Sequence, residues 1–252
     1  MKVAGRIEQP YRVRFDECGV DAQLRSSAYL RYAQELAWVH SDKAGLDREW
    51  YAARELGWLV RCLELEVLAP IAHGETMRVS TEVGGLRRVW ARRRSEFRGA
   101  DDQRIRAVAL TDWVLLGPTG LVSPPQEIRD RFDAPLVPFS PGRVPAMAVP
   151  DDAQDVSFGV RRRDLDPLGH VNNATYLDYL EEAVAGAGGD DDLAALPRRY
   201  RLEYLVSAEA GARLRARTWR VPEGWRFLLE GQDGTTLLRA ELESAPGLFV
   251  GG

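Results

Sequence analysis

The chain has 252 residues, 45% of them hydrophobic and 29% charged, and its formal net charge is −4. This composition is typical of a soluble globular protein, and the charge favours neither a nucleic acid nor an anionic membrane as a partner. The amino terminus lacks the apolar run of a secretory signal, and no apolar run approaches the ~20 residues that span a bilayer, so we expect a cytoplasmic protein without membrane insertion.

The first half predicts a short strand, a long helix and four further strands. The helix carries aromatic and aliphatic side chains at a period near 3.6 residues between Tyr29 and Ala37, and Ser26 or Ser27 is its predicted N-cap. The strands are recognised by the alternation of apolar and polar side chains. They are predicted at 57–68, 75–83, 87–98 and 103–116.

The second half repeats this order after a proline-rich segment. Residues 133–152 contain five prolines, which fix φ and remove amide donors, so we predict an extended linker there. We therefore expect one domain at 1–132 and another at 153–252. The strands of the second half are predicted near 156–163, 198–206, 212–221, 224–231 and 235–243.

The two halves are copies of one scaffold. Tyr29 and Tyr32 of the first helix have counterparts in Tyr176 and Tyr179, each 147 residues later and without a gap. Both helices are apolar over much of their circumference, which is typical of a buried helix. A buried helix followed by antiparallel strands, present twice, predicts an α+β protein with a tandem (double) hot dog fold, in which each curved sheet wraps round a central helix.

The second copy alone carries reactive side chains in the turn before its helix. At the equivalent positions, Asp166 stands where the first copy has Gly19, and His170 where it has Gln23. The pair Asn172-Asn173 replaces Arg25-Ser26. Asp166 is also a candidate turn-former, because Asp-Pro pairs commonly open turns. Its association with a histidine and an asparagine pair favours catalysis. Asp164 has an acidic counterpart in Glu17, which favours a structural role.

The turn and its helix resemble a known family. Residues 164–173, followed by Tyr176, resemble the carboxy-terminal hot dog domain of acyl carrier protein (ACP) thioesterases, and residues 35–40, 44–46 and 57–61 resemble the first domain of that family. The resemblance covers most of the chain. It implies hydrolysis of fatty acyl-ACP to a free fatty acid and ACP, in fatty acid biosynthesis, without a metal or another cofactor.

The family resemblance assigns roles to the residues of the turn. Asp166, His170 and Asn172 are the predicted catalytic residues: Asp166 acts as a general base or as a nucleophile, and His170 holds the water, tunes Asp166 or protonates the departing thiolate. Either Asn172 or Asn173 is expected to cap the helix, and the other to orient Asp166 or His170. The amides near Asn173 and Ala174, at the positive end of the helix dipole, are the predicted oxyanion hole.

The sequence departs from the family at two places. Plant members carry an asparagine two residues after the reactive aspartate, where this chain has Leu168. They also carry a Glu-Cys pair, which aligns with Ser207-Ala208. Glu209 and Glu203 are the acids near this position, and the resemblance does not choose between them.

The two cysteines do not supply the missing thiol. Cys18 and Cys62 lie elsewhere in the sequence, which excludes a Cys–His nucleophile. They form neither a metal-ligand spacing nor a disulfide framework, so we expect a reducing compartment and no metal.

Partners and alternatives follow from the same resemblance. Leu36, Trp58 and Val60 are predicted to line the acyl pocket. Arginine runs such as Arg161–Arg163 are either a solvated face or a rim for the acidic ACP or for coenzyme A phosphates. Acyl-CoA hydrolysis, a dehydratase activity and a non-catalytic acyl-thioester binding module are the alternatives, and a monomer and a homodimer are both compatible with the sequence.

Overall fold

The structure is a computed structural model, and it describes residues 5–244. The chain divides into two compact units. The first comprises Pro70–Pro141 and the described part of Met1–Leu63, and the second comprises Glu64–Ala69 and the described part of Gly142–Gly252. The domain limits expected at 132 and 153 stay a prediction.

The first unit is an antiparallel sheet with one long helix. Its strands pair in the order β1-β3-β4-β5, with a short strand β6 on β5, and the long helix α1 packs on β3 and β5. The elements up to the end of this unit are β1 (Arg6–Arg12), α1 (Ser26–Lys43), α2 (Arg48–Ala52), β2 (Gly57–Val67), β3 (Thr76–Arg87), β4 (Trp90–Gly99), β5 (Ile105–Gly117), β6 (Gly120–Leu121) and α3 (Gln126–Phe132).

Helix α1 buries the side chains that the periodicity selects. Tyr29 and Leu36 are almost inaccessible, and the Tyr29 ring meets the Phe97 ring edge-on at 5.0 Å. The predicted serine N-cap is wrong: the N-cap is Arg25, whose extended backbone (φ −62°, ψ 148°) precedes Ser26 as the first helical residue. The helix begins one residue early because the Arg25 amide is held by the Glu17 carbonyl at 3.0 Å.

The second unit repeats this arrangement. Its strands pair antiparallel in the order β7-β9-β10-β11-β8, and the helix α4 packs on β7 and β9. The elements are β7 (Gln154–Gly159), α4 (Asn173–Gly186), α5 (Asp190–Ala194), β8 (Arg198–Tyr204), β9 (Arg213–Val221), β10 (Gly224–Gly231) and β11 (Thr236–Ser244). The predicted fold class, an antiparallel sheet on a central helix in two copies, is confirmed.

The strands predicted after each helix match the observed ones to within four residues at either end. The first strand of each half is misplaced: the one predicted around 11–15 is observed at Arg6–Arg12. The strand predicted at 156–163 ends at Gly159, because the chain turns into a short 3-10 helix at Arg162–Asp164. The first unit has the same feature at Phe15–Glu17, which is the position that the repeat predicts. Among the helices that the structure describes, none is long and apolar enough to cross a membrane.

Candidate active site

The turn that precedes α4 repeats the backbone of the turn that precedes α1. In the second unit the Asp166 amide donates to the His170 carbonyl at 2.8 Å, and the Gly169 amide donates to the Asp166 carbonyl at 3.0 Å. The equivalent bonds of the first unit are Gly19 to Gln23 at 2.9 Å and Ala22 to Gly19 at 3.0 Å. The predicted sequence repeat is therefore a repeat of main-chain hydrogen bonds as well.

Each turn is tied to a segment farther along its own unit. The Val171 amide donates to the Ala208 carbonyl at 3.2 Å, and His170 lies opposite Glu209 in an antiparallel bridge. The equivalent contacts of the first unit are Leu24 to Ile71 at 2.9 Å and the bridge between Gln23 and Ala72. Residues opposite each other in an antiparallel pair have Cβ atoms about 4.5–5.5 Å apart on one face. The side chains of His170 and Glu209 are therefore neighbours.

Asp166 fixes the turn with one of its carboxylate oxygens. Its Oδ1 accepts a hydrogen bond from the Leu168 amide at 2.8 Å, and Gly169 closes the turn at φ +82°, a conformation that suits glycine. The turn-forming role of Asp166 is thus real. In this role Asp166 uses its Oδ1, and its Oδ2 is left for other partners. The Asp166 side chain is half-buried.

Tyr176 connects the helix to the segment that faces His170. The Ala208 amide donates to the Tyr176 hydroxyl oxygen at 2.8 Å, and Tyr176 is 2% exposed. Burial raises the pKa of the Tyr176 phenol, and the negative charge of Asp166 raises it further, against the hydrogen bond from Ala208. The carboxylate of Asp166 therefore acts on this buried phenol, which stays protonated at neutral pH.

Asp164 has a structural function in this turn. Its Oδ2 accepts from the Arg161 amide at 2.7 Å and from the Tyr179 hydroxyl at 3.0 Å, and burial followed by that hydrogen bond raises the pKa of Tyr179. In the first unit Glu17 accepts in the same way from the Arg14 amide and from the Tyr32 hydroxyl. Both copies keep this acid, so it belongs to the scaffold.

Asn172 is the N-cap of α4. Its Oδ1 accepts from the Ala174 amide at 2.9 Å, so one of the two asparagines caps the helix as the sequence predicts. The cap engages the Ala174 amide, one of the two predicted oxyanion donors. It does not engage the Asn173 amide, in the first turn of the helix. The catalytic role of Asn172, the orienting role of Asn173 and the oxyanion hole stay predictions.

His170 is exposed on the same turn as Asp166, and its side chain makes no hydrogen bond within residues 5–244. Of the two acids that the sequence left open, Glu209 is exposed opposite His170. Glu203 is 4% exposed and accepts from the Val144 amide at 3.3 Å. The bridge therefore selects Glu209 as the neighbour of His170.

The internal repeat of the sequence points to Glu209 as the acid near His170, whereas the alignment to the family does not. Gly74 and Gly211 begin equivalent strands at an offset of 137 residues, and the same offset places Glu209 at the position of Ala72. An alignment to the plant Glu-Cys pair points instead to Ser207-Ala208. Ala208 is 3% exposed and carries no reactive group.

The three predicted pocket residues lie in β2 and α1. Leu36 is fully buried, and Trp58 is half-buried and donates from its indole nitrogen to the Tyr51 hydroxyl at 3.0 Å. Val60 is half-buried two residues after Trp58, on the same face of the strand. Their contact with an acyl chain stays a prediction.

Comparison with known proteins matches both units. Residues 6–118 match the acyl-ACP thioesterase N-terminal domain, and residues 148–205 match the acyl-ACP thioesterase C-terminal domain. A chloroplastic palmitoyl-acyl carrier protein thioesterase from Gossypium hirsutum is 28% identical over 222 residues, covering 78% of this chain and 52% of the relative. This chain spans about half the length of that curated relative.

Solved structures share the whole architecture. The 12:0-ACP thioesterase from Umbellularia californica superposes with a TM-score of 0.78 at 22% identity, covering 96% of this chain and 97% of the other. A Lactobacillus plantarum protein provisionally assigned as an oleoyl thioesterase gives a TM-score of 0.83 at 20% identity, covering 97% and 98%. At these identities the likeness concerns the fold. Together with the two domain matches, it places this chain in the acyl-ACP thioesterase family.

Proposed function

We propose that this protein is a thioester hydrolase that releases a free fatty acid from acyl-ACP. The observation that carries the proposal is the duplicated turn. Its main-chain hydrogen bonds are the same in both units, whereas Gly19 and Gln23 of the first turn are replaced by Asp166 and His170, and Ala72 of the facing segment is replaced by Glu209. These are titratable groups of the kind that thioester hydrolysis requires.

Asp166 is the proposed group that starts the reaction. Its Oδ2 takes a proton from a water molecule as the water oxygen adds to the thioester carbonyl carbon, or it attacks that carbon itself. In both routes the carbon–sulfur bond breaks and the sulfur leaves as a thiolate that needs a proton. After a single turnover in ¹⁸O-labelled water, label found in Asp166 would show the nucleophilic route, because an acyl-Asp166 anhydride hydrolysed at the aspartyl carbon leaves the label there. Hydrolysis of the anhydride at the acyl carbon would label the fatty acid, as the general-base route does.

His170 is the proposed proton carrier to the departing sulfur. An exposed imidazole without a hydrogen bond to the described chain is free to reach a substrate atom. Glu209, opposite His170, is proposed to hold the ring in place and to stabilise the imidazolium ion. This pairing supplies the acid for which the family alignment offers only Ser207.

The developing oxyanion is proposed to lie at the amino-terminal end of α4. The Asn173 amide is the donor that the Asn172 cap does not engage, and the helix dipole favours negative charge there. Because this donor is a backbone group, replacing the Asn173 side chain tests orientation and leaves the donor in place.

The proposal is tested by incubating the purified protein with acyl-ACP and acyl-CoA of several chain lengths and measuring thiol release. Faster release from acyl-ACP supports the proposed substrate, and faster release from acyl-CoA favours the alternative carrier. Binding of acyl-ACP without release above the rate without enzyme would mean a binding module. Formation of an enoyl thioester and water from a 3-hydroxyacyl thioester, offered in a parallel reaction, would mean a dehydratase.

We also propose, from the sequence, that Leu36, Trp58 and Val60 contact the acyl chain. The substitution Val60→Trp would then shift the preferred substrate to a shorter chain. Leu59→Trp is the matched control, because Leu59 lies on the opposite face of β2 and is 42% exposed. Equal chain-length profiles for both variants would contradict this assignment.

A further inference from the structure

The 3-10 helix before the turn has reversed its charge between the two units. In the first unit Arg14 is followed by Phe15, Asp16 and Glu17, which gives one arginine against two acids. In the second unit the corresponding residues are Arg161, Arg162, Arg163 and Asp164, which gives three arginines against one acid. The backbone is the same, with an arginine at the N-cap and an acid that accepts from it. The charge reversal is therefore not required by the fold.

The arginines of the two copies also differ in their partners. Arg14 lies 3.3 Å from Asp16 and 3.2 Å from Glu17, so the first unit neutralises its arginine within the same segment. Arg161, Arg162 and Arg163 are all exposed, and within residues 5–244 none of them forms an ion pair with a carboxylate. The carboxylate of Asp164, the acid of this segment, is taken up by Tyr179 and the Arg161 amide.

A fourth unpaired arginine lies beside this segment. Arg213 of β9 pairs with Gly159 of β7, and Gly159 precedes Arg161 by two residues. The Arg213 side chain is exposed and forms no ion pair in the described chain. Farther along β9 the arginines are paired: Arg215 with Asp155 at 2.7 Å, Arg217 with Glu230 at 2.8 Å and Arg220 with Asp192 at 2.8 Å. Along β9 the unpaired arginine is therefore the one next to the segment that precedes the Asp166 turn, in a chain whose net charge is −4.

We propose that Arg161, Arg162, Arg163 and Arg213, the arginine face, dock the acidic surface of the carrier protein that delivers the acyl chain. This inference rests on the proposed function, whose substrate carrier it identifies. The cations are spread over a strand and an exposed 3-10 helix, which suits a protein surface with several carboxylates. The phosphates of coenzyme A are the competing anions, and the test below separates the two. Complementary charge of this kind accelerates encounter and sets orientation, and salt weakens it.

The test transplants the residues of the first unit into the second. The double substitution Arg162→Phe with Arg163→Asp introduces the side chains of Phe15 and Asp16, which already form this 3-10 helix in the first unit. The paired substitution Arg215→Ala with Arg217→Ala removes the same number of arginines from the neutralised part of β9 and serves as the control. One acyl chain is presented on ACP, on coenzyme A and on N-acetylcysteamine, which has neither a protein nor a phosphate.

The transplanted variant should lose at least about tenfold more kcat/KM on ACP than on the N-acetylcysteamine thioester, and its rate on ACP should depend less on ionic strength. The control should keep the ACP preference of the parent. An equal loss on all three thioesters, or an equal loss on coenzyme A and ACP, would overturn the proposal, because the first means structural damage and the second means phosphate binding.

Binding of fluorescently labelled acyl-ACP, measured by anisotropy, separates this proposal from the proposed function. If the parent binds the carrier and the transplanted variant does not, docking is supported even when no thioester is hydrolysed. If both proteins bind and hydrolyse acyl-ACP equally well, docking at the arginine face is wrong while the thioesterase activity stands.

Discussion

His170 and Glu209 face each other across an antiparallel bridge, where the first unit has Gln23 and Ala72. If Glu209 acts through His170, Glu209→Gln should lower kcat at least about tenfold, with a smaller change in KM. His170→Gln, which installs the residue of the first unit, should lower kcat about 10²-fold or more.

The double variant decides whether the two residues act together. When His170 is already glutamine, adding Glu209→Gln should lower kcat no further, because Glu209 is proposed to act on the reaction through the His170 imidazole. Glu209→Asp should recover part of the activity. Additive losses in the double variant would mean that Glu209 does not work through His170.

Tyr176 should stabilise the segment that carries Glu209. The substitution Tyr176→Phe removes the acceptor of the buried Ala208 amide, which lies 2.8 Å from the hydroxyl oxygen. An unsatisfied buried donor costs about 1–3 kcal/mol, so the free energy of unfolding in urea should fall by about that amount. Hydrogen exchange at the Ala208 amide should accelerate. An unchanged unfolding curve would show that the amide finds another acceptor.

Asp164 should matter for stability more than for chemistry. Asp164→Asn weakens a charged acceptor for the Tyr179 hydroxyl and the Arg161 amide, at 3.0 and 2.7 Å. Hydrogen bonds to charged groups contribute about 1.5–3 kcal/mol, so we expect a loss of stability near the lower end, since the asparagine oxygen can still accept both bonds without the charge. Thiol release by the folded variant should stay within about tenfold of the parent. A selective loss of turnover at unchanged stability would instead assign Asp164 to the reaction.

Glu96 should make the protein sensitive to acid. Burial alone would raise the pKa of Glu96, but hydrogen bonds from Arg98, Arg6 and Arg94 lower it to about 2. A depressed pKa in the folded protein stabilises it above the ordinary value of 4.5, and this contribution is lost as the pH falls from about 4.5 towards 2. The stability difference between the parent and Glu96→Gln should therefore shrink over this range. A difference independent of pH would contradict the depressed pKa.

The repeat made much of this fold predictable from the sequence. The two tyrosines of each helix recur at a constant spacing, and the alternating strands recur in the same order, so the two copies support each other. The backbone of the turn was not directly readable, but it follows from the repeat, because Ala22 at φ 59° and Gly169 at φ 82° occupy equivalent places.

The partners of individual side chains were harder to predict. The sequence could not decide which asparagine caps α4, since both are suitable and a shift of one residue exchanges their roles. The prediction of Ser26 or Ser27 as the N-cap of α1 was wrong for the same reason, since the observed cap is Arg25, one residue before Ser26. The pairing of Glu209 with His170 depends on the register between the turn and a segment about forty residues later. A slip of one residue in that register would place a different side chain opposite His170.

The most direct measurement of the central claim is the rate of thiol release from acyl-ACP by Asp166→Asn. Asparagine keeps the oxygen that accepts from the Leu168 amide, so the turn should remain folded while the carboxylate is lost. We expect kcat to fall at least about 10²-fold, with the parent's circular dichroism spectrum and unfolding midpoint retained. A folded Asp166→Asn protein that hydrolyses acyl-ACP within about threefold of the parent would contradict the assignment of Asp166 as the group that starts the reaction.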